Sequence, residues 1–184
     1  MKLFIKTLTT NLLFLSLFCC TIFAQTEYEN KAKHIYQLTK YVEWNPTAAP
    51  LFIGVVGDTP VTPFLKKQAS ENSNVSIVEY NTIPDLLKEN KQNPCHILFI
   101  PSSISISSAQ LSEINPQQTL TLGEAEDFLK KGGLIKFVIT RNALKFEIDQ
   151  NHLLNCKFKI KPKLLKMAEL VANTDYSQIT CKDL

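Results

Sequence analysis

The chain has 184 residues, of which 45% are hydrophobic, and a formal net charge of +3. This length and composition suffice for one domain with a sizeable core. The charge falls to +1 without Lys2 and Lys6, which excludes strong electrostatic capture of nucleic acid.

The first 24 residues are predicted to be a secretory signal peptide. Lys2 and Lys6 precede an uncharged apolar run, and the small residue Ala24 lies just before Gln25. This arrangement is typical of a cleavable leader. The alternative is a membrane anchor, because the uncharged segment 7–25 is long enough to span a bilayer if it is retained. Cleavage after Ala24 predicts a soluble mature domain, residues 25–184, in an oxidising compartment.

The mature chain opens with a predicted amphipathic helix. Thr26 and Glu29 have the spacing of a capping box at its start, and Asn45-Pro46 ends it because the residue before proline avoids helical geometry. The residues that recur at helical spacing and predict its buried stripe are Ala32, Ile35, Leu38, Thr39 and Val42.

Strands and helices then alternate four times. The segment 51–58 is a continuous apolar run, which is typical of a strand covered on both faces. Further strands are predicted at 75–80, 96–100 and 118–122, with helices beginning near Thr59 and at 84–90, 102–114 and 124–130. This alternation predicts a parallel sheet with helices on both sides.

The C-terminal third departs from this alternation. Segments 134–140 and 144–148 lie so close together that they predict an antiparallel hairpin. A last helix is predicted from Pro162 through Leu164, Leu165, Ala168 and Val171. The predicted fold is a single three-layer α/β domain, with a mostly parallel sheet, a C-terminal antiparallel hairpin and helices on both faces.

Few residues suggest a catalytic, metal-binding or ligand-binding site. Gly57 and Asp58 end the first strand, where a ligand pocket is one interpretation and a tight turn with Asp58 capping the next helix is the other. His34, His96 and His152 lack the spacing of metal ligands on one helix face, and no G-x-S-x-G motif is present. We therefore expect no catalysis, no metal and no cofactor.

Three cysteines remain after cleavage, so at most one internal disulfide can form. We predict a bridge between Cys156 and Cys181. Cys95 begins a buried strand and is expected to be a free thiol that packs as a small hydrophobe.

The predicted strand "LKFEI" has apolar side chains on one face and charged side chains on the other. Leu144, Phe146 and Ile148 share one face, whereas Lys145 and Glu147 share the other. The charged face is either an exposed edge of the sheet or a polar contact in a partner surface, and the sequence leaves both interpretations open.

The ordered set of segments resembles the YfiR-like family of periplasmic regulatory proteins over about residues 30–171. The matching segments are Lys31-Ala32, Ile35-Tyr36, Lys40 to Trp44, Val55 to Asp58, Cys95 to Phe99, Leu120 to Gly123, Gly132-Gly133, Ile135, Phe137, Phe146 to Ile148, Lys163 to Leu165 and Ala168. The departures from the family pattern are Asn45, Asp149 and Gln37. Members of the family can carry two disulfides, which three cysteines cannot supply.

The resemblance implies a periplasmic repressor that binds the sensor region of a membrane-bound diguanylate cyclase, and so acts in cyclic-di-GMP signalling. Trp44, Phe137 and Glu147 are the expected partner contacts, with the hairpin at the edge of the sheet. A periplasmic small-molecule binding module is the alternative, and a homodimer is a further interpretation.

Overall fold

The computed structural model describes residues 26–44, 50–71, 74–140 and 143–171. Helix α1 covers residues 26–41. Its predicted buried stripe is confirmed at Ala32, Ile35 and Leu38, which are fully buried, whereas Thr39 is half-buried. The helix ends at Tyr41, before the predicted end at Asn45-Pro46, because Val42 and Glu43 form a strand instead. Asn45 and Pro46 themselves lie outside the described residues. Within the described part of the chain, no helix combines the length and apolarity needed to cross a membrane.

The strands are β1 Val42–Glu43, β2 Leu51–Val56, β3 Val75–Tyr80, β4 Ile97–Ile100, β5 Leu120–Gly123, β6 Ile135–Thr140, β7 Ala143–Asp149, β8 Lys159–Ile160 and β9 Ala168–Val171. The helices after α1 are α2 Val61–Ser70, α3 Ile83–Asn90, α4 Ser108–Ser112, α5 Gln150–Leu153 and α6 Pro162–Met167. Seven strands form one sheet in the order β3-β2-β4-β5-β6-β7-β9, in which only the β6–β7 pair is antiparallel. The predicted fold class is thus confirmed.

Two hydrophobic clusters cover the two faces of this sheet. The first face packs against α1, α2 and α6, through residues such as Ile35, Leu65 and Leu164. The second packs against α3, α4 and the segment 124–133, through residues such as Leu86 and Phe128. Because helices or turns cover both faces, the central strands contain apolar residues throughout instead of alternating with polar ones.

Residues 168–171 are not part of a helix, although the last predicted helix included them. Helix α6 stops at Met167, and the backbone is already extended at Ala168. Residues 168–171 form β9, which pairs parallel to β7 with Glu147 opposite Glu169. The alternation of Glu169 with apolar neighbours fits a strand, and joining the sheet satisfies backbone groups that a helix would satisfy internally. The hairpin strand β7 is therefore interior, and β9 is the edge of the sheet that the described residues form.

Two other predicted helices are shorter or missing. In segment 102–114 only Ser108–Ser112 is helical, and the capping box of Ser107 and Gln110 starts it. Segment 124–133 is a series of turns that places Phe128 directly over Gly123 and Gly133, where a Cβ atom on either glycine would clash with the ring. The aromatic packing here overrides the local helical preference.

A second, two-stranded sheet connects the end of α1 to the C-terminal region. In this antiparallel pair, Val42 lies opposite Ile160 and Glu43 lies opposite Lys159. The backbone amide of Lys161 also donates to the carbonyl of Tyr41 at 2.8 Å. The segment between β7 and β9 is therefore held against the end of α1.

Candidate functional site

A row of charged side chains crosses the second face of the sheet on strands β6, β7 and β9. Lys136 Nζ lies 2.8 Å from Glu147 Oε2, and their side chains are only 13% and 23% exposed. Glu169 lies beside Glu147 in the register of β9, and Glu169 and Lys145 are exposed. We call these four residues, Lys136, Lys145, Glu147 and Glu169, the charged face.

Strand alternation positions these side chains. Lys136 pairs with Glu147 in the antiparallel register, and the next pair, Phe137 with Phe146, points to the opposite face. Since β6 and β9 flank β7, Glu147 is held on a strand with hydrogen-bonded neighbours on both sides. Lys136 Nζ also lies 3.4 Å from the carbonyl oxygen of Glu126, which fixes the ammonium group from the turn segment.

Phe137 and Glu147 lie on opposite faces of the sheet, although both were expected to contact a partner. Phe137 is 6% exposed, and its ring stacks on Phe146 with centroids 5.2 Å apart. Phe99 and His34 pack against this aromatic pair. Both phenylalanines are therefore core residues, and Phe137 exposes little of its ring to a partner.

Trp44 also packs within the protein. Its ring meets His96 edge-on at 5.2 Å and lies 4.9 Å from Phe158. The indole Nε1 is buried and has no hydrogen-bond acceptor within the described part of the chain. The half-buried indole therefore closes one end of the first hydrophobic cluster, away from the charged face.

His96 links this aromatic cluster to the start of β2. The backbone amide of Phe52 donates to His96 Nδ1 at 3.1 Å, so the neutral ring carries its proton on Nε2. The Phe52 ring stacks on the imidazole with centroids 6.1 Å apart and is 37% exposed. Burial lowers the pKa of His96. The ring is thus a neutral acceptor at pH 7.

A cleft of about 490 Å³ opens beside this histidine. Its lining residues are Phe52, Val78, Tyr80, Glu89, Gln92, Asn93, Pro94, Cys95 and His96. Such a volume is within the range of small-molecule sites, and the lining combines aromatic rings with a few polar groups. Gly54 is required beneath it, because a Cβ atom there would lie 2.8 Å from the Tyr80 ring.

The cleft does not contain a reactive thiol. Cys95 is 1% exposed, and burial raises the pKa of its thiol to about 12 despite hydrogen bonds that favour the thiolate. Burial and the neighbouring Cys95 also raise the pKa of Tyr80. Both groups are therefore protonated at neutral pH, and the expectation that Cys95 packs as a small hydrophobe agrees with this burial.

The turn at Gly57 is closely packed against Ile104, and the ligand pocket expected at Gly57 and Asp58 stays a prediction. Gly57 has φ +74°, and a Cβ atom there would lie 2.7 Å from Ile104 Cδ1. Asp58 is exposed. Its side chain does not cap α2, contrary to the interpretation that Asp58 caps the next helix. The hydroxyl of Thr59 instead accepts the amide of Val61 at 3.3 Å.

An ion pair occupies the neighbouring strand ends. Glu124 follows β5, and one of its carboxylate oxygens accepts the amide of Ser102, which follows β4, at 3.0 Å. Lys31 of α1 lies 2.8 Å from Glu124 and from Glu27. Burial alone would lower the pKa of Lys31, but hydrogen bonds to the two glutamates and their charges raise it. The first helix is thereby bound to the carboxyl ends of the sheet strands.

The predicted disulfide extends beyond the described residues. Cys156 is half-buried, its Sγ lies 3.5 Å from the carbonyl oxygen of His152, and burial raises the pKa of the thiol to about 12. Cys181 lies outside the described residues, so its bridge to Cys156 stays a prediction. No cluster of three or more metal-ligating side chains occurs among the residues that the structure describes.

Lys136, Phe52 and the cleft beside His96 were not among the residues and sites predicted from the sequence. The sequence could have indicated Lys136, because this residue alternates with apolar residues in the same way as Glu147 on the next strand. No sequence pattern indicates the stacking of Phe52 on His96, because this contact depends on the register of strands 44 residues apart.

Comparison with known proteins identifies a family. Residues 28–169 match a protein family described as YfiR/HmsC-like, a span that contains the whole sheet except its last two residues. No curated protein matches the chain significantly.

We predict that the stability of the protein decreases with falling pH partly through His96. Burial lowers the pKa of this ring below its unfolded value of roughly 6.5, so the folded state favours the neutral form. The resulting stability is fully present above the unfolded pKa and is lost as pH falls towards the folded pKa. The variant His96→Gln keeps an acceptor for the Phe52 amide and does not titrate.

Urea denaturation of wild type and His96→Gln between about pH 7.5 and pH 5.5 measures this effect. The advantage of wild type over the variant should shrink as pH falls. Parallel stability curves for the two proteins would show that His96 does not contribute.

Proposed function

The chain belongs to the YfiR/HmsC-like family, and from that premise we propose that it binds and represses the periplasmic sensor region of a membrane-bound diguanylate cyclase. Family membership implies a periplasmic regulator of cyclic-di-GMP signalling, and the family is regulatory rather than catalytic. The observation that carries the finer proposal is the half-buried Lys136–Glu147 pair, which holds charges of both signs in fixed positions on an accessible face.

The charged face has the properties of a specific recognition surface. Lys136 and Lys145 carry positive charge, and Glu147 and Glu169 carry negative charge, so a partner must present a complementary arrangement. Such complementarity favours the correct partner and opposes like-charged alternatives. Because Glu147 is fixed by its ion pair and by strands on both sides, little side-chain entropy is lost when it contacts a partner.

A second candidate function is the binding of a small ligand in the cleft beside His96. The observation that favours it is the lining, in which the Phe52 ring and the His96 ring offer stacking surfaces next to the carboxylate of Glu89. Native mass spectrometry of freshly purified protein would detect a retained ligand, and a His96→Gln variant that retains the same ligand would exclude this cleft.

We further propose that the leader is removed after Ala24, so that the mature chain reaches the side of the membrane on which the sensor region lies. The basis is the leader pattern of the sequence, since these residues lie outside the described structure. N-terminal sequencing of exported protein should give a chain starting at Gln25. An intact Met1 in the membrane fraction would instead indicate an uncleaved anchor.

We predict that Glu147→Ala weakens partner binding about tenfold while lowering the free energy of unfolding by about 1 kcal/mol. Binding suffers because the carboxylate is lost and the Lys136 charge loses its partner. The unfolding change stays small because both side chains keep some contact with solvent. Pull-down from membranes, melting temperature and cellular cyclic-di-GMP are the three measurements.

Glu79→Ala is the matched control, because Glu79 pairs with Lys66 at the opposite edge of the sheet with both side chains about half exposed. It removes the same charge and an ion pair without touching the charged face. If Glu147→Ala behaves like Glu79→Ala in binding and in cyclic-di-GMP level, the charged face is not the contact.

A further inference from the structure

A strongly basic segment lies between β7 and β9. Residues 154–167 contain five lysines and no acidic residue, in a chain whose total formal charge is only +3. The five lysines are Lys157, Lys159, Lys161, Lys163 and Lys166, and all are exposed. This segment alone therefore carries a larger positive charge than the net charge of the whole chain.

The fold gathers most of these lysines around the C-terminal end of α1. Lys161 Nζ donates to the carbonyl oxygen of Lys40 at 3.0 Å, and Lys163 Nζ lies 5.4 Å from the centroid of the Tyr41 ring. Lys159 lies on β8, which pairs with the strand that follows α1. We call Lys40, Lys159, Lys161, Lys163 and Lys166 the basic surface.

Acidic partners are scarce at this surface. None of the ion pairs between described residues involves a lysine of the basic surface. Glu43 lies opposite Lys159 in the two-stranded sheet and is the acidic residue nearest to it in register. One carboxylate beside several ammonium groups leaves a net positive potential that attracts anions.

An apolar side chain accompanies these charges. Met167 follows Lys166 at the end of α6 and is 45% exposed, while Leu164 on the inner side of the helix is buried. Lys163 and Met167 are four residues apart and so share the outer side of this helix. Leu154, three residues before Lys157, is 81% exposed. Exposed apolar residues beside lysines are characteristic of surfaces that contact the lipid headgroup region.

We propose that the basic surface docks on a membrane containing anionic phospholipids, with the lysines near the headgroups and Met167 inserted between them. Lysines on a short strand such as β8 can also serve to block pairing with other strands. That role does not explain Lys163 and Lys166, which lie on a helix, nor the exposed methionine. Electrostatic attraction combined with a small apolar insertion explains all of these features.

This inference goes beyond the proposed function and does not depend on it. Docking would orient the domain on the membrane and raise its local concentration near any membrane-bound partner. Vesicles that contain no protein test the docking alone, so it can fail while the cyclase proposal stands, and the reverse also holds.

The test is co-sedimentation of the mature chain, residues 25–184, with vesicles of phosphatidylcholine alone or with about 30 mol% phosphatidylglycerol. We expect binding to the anionic vesicles only, and its loss in about 0.5 M NaCl. The variant K159Q/K166Q should bind roughly 30-fold more weakly, because each lysine near an anionic surface contributes about a fivefold factor. Met167→Ser should weaken binding further at low salt.

The matched control is K67Q/K88Q, which removes the same charge from exposed lysines on α2 and α3 and should bind as wild type does. Equal binding of the two double variants, or equal binding to neutral vesicles, would overturn the proposal. So would a result in which no vesicle is bound but K159Q/K166Q loses capture of an acidic membrane protein, since that would assign the surface to a protein partner.

Discussion

Hydrogen bonding of β7 to a strand on each side is the constraint on which the rest of the structure depends. Antiparallel pairing with β6 and parallel pairing with β9 fix the direction of every side chain on β7. Phe146 is thereby directed into the core beside Phe137, and Glu147 is directed to the opposite face beside Lys136. A shift of one residue in this register would bury the charges and expose the aromatic rings, so the register is strongly specified.

The same pairing organises the rest of the C-terminal region. Because β9 is parallel to β7, the chain must cross back over the sheet, and this crossover contains α5, β8 and α6. The crossover meets the end of α1 through the β1–β8 pair, which brings the basic surface together. The charged face and the basic surface are thus separate consequences of one strand order. Cys95, which is fully buried, belongs to neither surface.

Local patterns in the sequence predicted the central sheet and the hairpin, because apolar runs and alternation are properties of short segments. These patterns failed at residues 168–171, where Ala168 and Val171 also fit helical spacing. This segment forms a strand because it pairs with the otherwise unpaired edge of β7. The packing of Trp44 was not predicted either, since its ring contacts His96 and Phe158, which are distant in sequence. The match to the family covers Trp44 and the first two residues of β9 without resolving such contacts.

The most direct measurement of the central claim is the diguanylate cyclase activity of membranes from cells that lack this chain, titrated with purified mature protein. If the protein represses by binding, activity should fall to a plateau once protein equals the captured cyclase in amount, and Glu147→Ala should require more protein to reach the same plateau. Activity that is unchanged at a large excess of the protein would contradict the account.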